Sequence, residues 1–291
     1  MVSPSGAQHE LAFGEARACA VEVGGGLRTY SVGPRQVLDG YEPKAMCTSA
    51  RGQVLAPWPN RLEDGTYSFD GRRLQVPITE SETRTSIHGL VRWANWTLAD
   101  RDDDRVALEH VLHPSPGYPF ALALRVEYRL GPNGLTVTSG AENVGDRVLP
   151  FGLGHHPYLA GSPRVDDLVV AVPAAAQLVA DERMLPVGRE PATLGEPRLL
   201  GETVLDTTFC DLTRDAEGIA RIQVGDDAVW LDEAFGYVQL FTGDPLPDVA
   251  RRSLAVEPLT CAPNAFQSGE GLIHLEPGER FEARWGIEPA G

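Results

Sequence analysis

Ala121-Leu-Ala-Leu-Arg-Val-Glu-Tyr-Arg-Leu130, followed by Pro132-Asn-Gly134 and then Leu135-Thr-Val-Thr138, is the stretch that decides the fold class. In an extended chain successive side chains point to opposite faces. Leu122, Leu124, Val126, Tyr128 and Leu130 then share one face, with Arg125, Glu127 and Arg129 on the other. Asn-Gly between two such runs is a hairpin signal. Outward from this hairpin the pattern repeats: Leu27–Val32, Thr66–Phe69, Val106–Leu112, Asp167–Val172, Ile219–Val224, Tyr237–Thr242 and Phe281–Ile287 are all short β-rich runs. Asp70-Gly71 and Gly225-Asp-Asp227 supply further turns. Few windows of a dozen residues carry a helical stripe. Many short strands with frequent turns predict an all-β sandwich or barrel. No composition shift marks a boundary, so residues 1–291 are expected to form a single domain. The segment 173–202, with scattered Pro, Gly, Glu and Arg, reads as a long excursion from the sheet, and loops of that length are often functional rims.

The chain has 291 residues, 42% hydrophobic and 23% charged, with a net charge of -16. That length buries a large core without staples. The acidic balance argues against a nucleic-acid or anionic-membrane partner. The basic pairs Arg72-Arg73 and Arg251-Arg252 read as solvated positions. Cys19, Cys47, Cys210 and Cys261 form no C-x-x-C pair or zinc pattern and read as buried thiols of a reducing, cytoplasmic setting. The N-terminus has no signal-peptide pattern, and no segment is long enough to span a bilayer.

Five short motifs bear on chemistry. In Ala56-Pro-Trp-Pro-Asn-Arg61, two prolines fix the chain around Trp58 and present Asn60 and Arg61; the bland alternative is a turn whose Arg61 pairs with Glu63 or Asp64. In Ile87-His-Gly89, Gly89 permits close backbone approach beside His88, with Trp93 and Trp96 as flat surfaces for sugar faces. In Phe151-Gly-Leu-Gly-His-His-Pro-Tyr-Leu159, strand alternation puts Gly152, Gly154, His156 and Tyr158 on one face, where the glycines leave room for a ligand; His155 points the other way. Asp206-Thr-Thr-Phe209 opens a further strand with an acid. Glu257 is embedded among Ala255, Val256, Pro258 and Leu259; desolvation there raises a carboxyl pKa into the range of a general base near neutral pH, the bland alternative being a buried ion pair with an arginine. No phosphate-cradling Gly-rich loop, serine elbow or metal-ligand spacing is present, so no metal is expected.

Taken in order, these motifs resemble the aldose 1-epimerase (galactose mutarotase) family along nearly the whole chain. The resemblance implies a large antiparallel β-sandwich, or supersandwich, and interconversion of the α and β anomers of a free aldose. Glu257 is then the base at the C1 hydroxyl and His156 the acid at the ring oxygen. His88 would hydrogen-bond the ring oxygen or a nearby hydroxyl. Arg61, Asp206 and Asn60 would hold sugar hydroxyls, with Trp58, Trp93 and Tyr158 as the remaining substrate contacts. It implies no cofactor, a monosaccharide as the only partner, and a monomer or homodimer. Two departures bear on the substrate: His155 stands where galactose enzymes carry Asn, and Trp58-Pro-Asn-Arg61 replaces their Tyr-Ala-Asn-Arg. The Trp-rich segment after His88 is similar to a bacterial branch acting on other aldoses or on sulfoquinovose. The alternatives are a non-catalytic carbohydrate-binding protein on the same scaffold, or an epimerase of a phosphorylated or sulfonated hexose, for which Arg61, Arg84 and Arg92 are the available cations.

Overall fold

In the computed structural model, which describes residues 2–160, 164–246 and 250–290, the chain is built almost wholly of antiparallel strands. The hairpin that decides the class is there: Leu122–Gly131 pairs with Gly134–Asn143, Leu130 opposite Leu135. Its apolar face is buried and its charged face is not. This hairpin lies inside a nine-stranded sheet running from Thr97–Arg101 through Arg280–Glu288 to Arg198–Leu199. A second, eight-stranded sheet is ordered Pro186–Pro191, Ala174–Ala180, Asp206–Leu212, Tyr237–Phe241, Ser253–Leu259, Gly154–His155 and Val54–Leu55, with Tyr158–Ala160 also paired to Ser253–Leu259. A four-stranded sheet covers residues 8–36.

The two large sheets share one apolar core. Tyr128, Val137 and Trp285 of the first meet Phe209, Leu240 and Val256 of the second in a single cluster. His155 belongs to this layer: its Nε2 lies 2.8 Å from Ser139 Oγ, and its ring centroid is 5.3 Å from that of Trp285. The opposite face of the eight-stranded sheet is therefore the one free to carry polar side chains. The only α-helix among the described residues is Ala265–Ser268, and no helix there is long and apolar enough to cross a membrane. All four cysteines are buried and unpaired.

Three expectations are corrected here. The segment 173–202 is no irregular excursion, because Ala174–Ala180 and Pro186–Pro191 form a hairpin at the edge of the eight-stranded sheet. Its turn is pinned by Arg183, which donates to Glu63 Oε1 at 2.9 Å and Asp64 Oδ1 at 2.8 Å. Arg251 is not freely solvated; it is part-buried and donates to Asp166, Asp244 and the Gly201 carbonyl. The run Phe151–Leu159 is not one strand but three short ones, Leu149–Phe151, Gly154–His155 and Tyr158–Ala160.

One close approach positions the site. Gly89 has φ +70°, and a Cβ there would stand 2.0 Å from the carbonyl oxygen of Ala56. Gly71 has a similar φ of +68° but open space around it. Gly89→Ala is expected to cost more than about 2 kcal/mol, since left-handed strain is joined by a backbone clash. Gly71→Ala should cost only about 1 kcal/mol. Urea denaturation followed by circular dichroism measures both, and equal losses would contradict the account.

Candidate active site

Strand register gathers the first group of side chains. Residues directly opposite in an antiparallel pair share a face, as do residues two apart. Gln239 pairs with Glu257, Thr208 with Gln239, and Phe241 with both Asp206 and Ala255; Tyr158 also pairs with Ala255. Asp206, Thr208, Gln239, Phe241, Glu257 and Tyr158 therefore stand on one face, turned away from the inter-sheet core. His156 joins them, because it follows core-facing His155.

The second group arrives on the loop 56–61. Gly152 and Gly154 do leave space, but not for a ligand. A Cβ on Gly152 would meet Cys261 Sγ at 2.5 Å and Pro59 Cδ at 3.2 Å; one on Gly154 would meet Pro59 Cβ at 2.8 Å. The Gly152 N–H donates to the Pro57 carbonyl at 2.6 Å. The glycines thus seat the proline-braced loop, which carries Asn60 and Arg61 onto the sheet face. The loop is then tied to His88, whose N–H donates to Asn60 O at 2.9 Å, while the Asn60 N–H donates to His88 Nδ1 at 3.2 Å.

The result is a cavity of about 190 Å³, open to solvent, lined by Asn60, Arg61, His88, His156, Tyr158 and Glu257 among others. It is smaller than pockets for drug-sized ligands, as suits a small polar molecule. Glu257 Oε1 lies 3.3 Å from His156 Nε2, and both side chains are nearly inaccessible. The rings of His88 and His156 are 5.2 Å apart, edge to face. Arg61 donates from Nε and Nη2 to Glu80 at 2.7 and 3.1 Å, and its Nη1 is 3.8 Å from Asp206 Oδ2. Glu63 and Asp64, the bland partners for Arg61, bind Arg183 instead. Gln239 Nε2 donates to Asp206 Oδ1, and Thr208 Oγ1 to Gln239 Oε1, which fixes the carboxylate plane. Ser49, Ala50, Asn60 and His88, all lining this cavity, have φ between +53° and +62°. Left-handed backbone at non-glycine residues costs about 1–3 kcal/mol each and concentrates at functional sites.

Electrostatics set the protonation states. Burial, then the charge of Asp206, pushes the Glu257 carboxyl well above its ordinary value. Burial, then the charges of Arg92 and Arg51, pulls the His156 imidazole down to about 3. His88 is likewise held neutral by burial and by neighbouring His156, Arg92 and Arg61. Because His88 Nδ1 accepts a backbone N–H, the neutral ring carries its proton on Nε2. Burial disfavours charge on Arg61, but the Glu80 hydrogen bonds and Asp206 outweigh it.

Ligand atoms of His88, His156 and Glu257 lie within 4.8 Å of one another, a grouping whose sequence separation hid it and whose spacing would suit a metal ion. The donor set does not fit one. With Nδ1 engaged by Asn60, His88 offers a proton donor where a cation needs a lone pair.

Not every expected contact is here. Trp58 does not line the cavity: it is buried against Phe266 at 5.3 Å, and its Nε1 donates to the Ser86 carbonyl at 3.3 Å. Trp93 is 56% exposed and also outside the lining, while Trp96 is buried in the core. Apolar burial claims the indoles of Trp58 and Trp96, and sequence proximity to His88 could not show that Trp93 stays exposed outside the cavity. Glu80, Gln239 and Phe241 were not anticipated. Gln239 had a signal, an amide inside the apolar run Tyr237–Phe241; Glu80, in Thr79-Glu-Ser-Glu-Thr83, had none.

Comparison with known proteins agrees with the geometry. Residues 8–288 match the family model for aldose 1-epimerase. The chain is 33% identical over 290 residues to the uncharacterized protein YihR of Escherichia coli K12, covering 94% of this chain and 91% of that one. It is 30% identical over 148 residues to the galactose mutarotase of Sus scrofa, covering 47% and 41%. Among solved structures, the GalM/aldose epimerase homologue from C. elegans superposes with a TM-score of 0.84 at 16% identity, over 98% of this chain and 99% of that one. Galactose 1-epimerase from Lactobacillus acidophilus NCFM gives 0.82 at 18% identity, over 98% and 95%. At those identities the likeness is one of fold, the antiparallel supersandwich. The match along residues 8–288, together with strand register and loop seating that bring its ordered motifs to one cavity, makes this chain a member of the aldose 1-epimerase family.

Proposed function

We propose that the protein interconverts the anomers of a free aldose by general acid–base catalysis, with Glu257 and His156 as the proton-transfer pair. The observation that carries this reading is their 3.3 Å contact inside a sugar-sized cavity. Burial favours the uncharged pair, with the proton on Glu257. Hydroxyl donors of a bound sugar, aided by the charge of Arg61, favour the carboxylate, and the proton then sits on His156. Glu257 removes the C1 hydroxyl proton, His156 protonates the ring oxygen, and the C1–O bond to that oxygen breaks to leave the open-chain aldehyde. The pair is now uncharged, the form burial favours, so ring opening discharges the site. Rotation about C1–C2 presents the other carbonyl face, and the same two groups close the ring with roles exchanged. His88 Nε2–H donates to the ring oxygen or an adjacent hydroxyl without changing its own charge. Asn60, Arg61, Asp206 and Tyr158 are the remaining sugar contacts.

A second reading is favoured by Arg92. It lines the cavity yet makes no salt bridge among the described residues. A guanidinium without a carboxylate partner on the cavity wall suits an anionic substituent on the sugar, a phosphate or sulfonate. Glucose, galactose, their 6-phosphates and a 6-sulfonated glucose, compared by kcat/KM, separate the two. Selectivity of about tenfold or more for an anionic sugar selects the second reading.

Glu257→Gln should lower kcat by at least about 100-fold in polarimetry or NMR anomer exchange, the usual worth of one positioned proton-transfer group. A variant with undiminished rate refutes the assignment. The same change should stabilise the protein at neutral pH. The raised folded pKa of Glu257 means the native state holds a proton that the unfolded state has released, so this carboxyl costs stability increasingly as pH rises above about 4.3. With His156 pulled down to about 3, its imidazole does not titrate near neutrality. The kcat–pH profile should therefore lack the inflection near pH ~6.5 of an ordinary imidazole. A clear limb there would show that His156 titrates normally.

A further inference from the structure

A proton-transfer histidine usually uses one ring nitrogen on substrate and has the other held by an acceptor that fixes the ring. His156 lacks that holder. Its Nε2 faces Glu257, and its Nδ1 is buried with no hydrogen-bond partner among the described residues. A flat neighbour takes its place. The Tyr158 ring lies parallel to the imidazole, centroids 4.9 Å apart and planes at 9°. The Arg51 guanidinium covers the same tyrosine ring, its central carbon 4.1 Å from the centroid. Arg51 is itself anchored: Nε donates to Asp39 O at 3.1 Å, Nη2 to Asp39 Oδ2 at 3.1 Å and to Ser253 Oγ at 3.4 Å. The chain ties follow the same path, with the Gly52 N–H on the His156 carbonyl and the Asp39 N–H on the Tyr158 carbonyl, both at 2.9 Å.

We infer that Arg51, which does not line the cavity, is a positioning residue that acts through Tyr158 to hold the His156 ring in line with Glu257. The inference rests on the reading that His156 transfers a proton. A cation–π contact on a buried ring is worth enough to order it, and the anchored guanidinium has nowhere else to go. Its fixed charge has a second effect. The titratable and charged groups around His156 are Glu257, His88, Tyr158, Arg92 and Arg51. Removing Arg51 takes away one of the two cations that disfavour imidazolium, so His156 becomes a weaker acid.

The test compares full-length wild type, Arg51→Lys and Arg51→Met. Arg51→Met should lose about tenfold in kcat with KM within about twofold, and the acid limb of its kcat–pH profile should move to higher pH. Arg51→Lys, which keeps the charge, should recover most of both. Independently of turnover, the His156 ring ¹⁵N shifts of the unliganded protein, assigned by their loss in His156→Asn, should report one neutral tautomer in wild type and an average of two in Arg51→Met. A folded Arg51→Met with wild-type kcat, pH profile and ¹⁵N shifts overturns the inference. So does equal impairment of the two variants with unmoved shifts. If Arg51→Met does not fold, Tyr158→Leu against Tyr158→Phe decides: loss of the ring should disturb the His156 shifts and kcat more than loss of the hydroxyl, and equal values overturn it. Wild type that accelerates no sugar refutes the mutarotase reading alone, since the ¹⁵N shifts still report on Arg51.

Discussion

The contact between Glu257 and His156 is the constraint around which the rest is arranged. A carboxyl and an imidazole, both nearly sealed from water, can share a proton but cannot both be charged cheaply, because the effective penalty for burying an ion is several kcal/mol. Burial reverses the ordinary order of the two proton affinities, raising the carboxyl and lowering the imidazole. The surrounding residues serve the pair: His88 is locked as a neutral donor by one backbone N–H, and Arg61 is held between Glu80 and Asp206 so that its charge is balanced and its fork fixed.

Keeping such a site in place costs stability elsewhere, and the fold supplies it. Four lining residues hold left-handed backbone, and the loop 56–61 sits on glycines that no other residue could replace without displacing it. The large inter-sheet core, closed by residues such as Trp285 and Tyr128, is the reservoir that tolerates this strain. The edge hairpin 174–191 contributes by clamping, through Arg183, the turn that bears Glu63 and Asp64. Its job is rigidity at the rim rather than a free loop.

Alternation in Ala121–Leu130 and the Asn-Gly turn were enough for the class of fold, since period-two burial has one geometric meaning. The motif residues Arg61, His88, His156, Asp206 and Glu257 were also legible, each as a polar group where an apolar one would pack better. Trp58 misled because core filling and sugar stacking look the same in sequence, and Trp93 because proximity to His88 along the chain does not place an exposed indole in the cavity wall. Gly152 and Gly154 misled for a related reason: missing side chains announce an approach but not the identity of what approaches.

By itself, then, the chain determined local conformation and which residue types were costly to bury, because both depend only on near neighbours and on the chemistry of single side chains. Tertiary structure alone decided the partners. Antiparallel register between Asp206–Leu212, Tyr237–Phe241 and Ser253–Leu259 put Asp206, Gln239 and Glu257 on one face. The seating of Pro57–Pro59 brought Arg61 and, through Asn60, the proton position on His88. The stack of Arg51 and Tyr158 behind His156 joins positions that no local pattern connects. Distances between residues a hundred positions apart are fixed by packing of the whole sheet, and no sequence window contains that information.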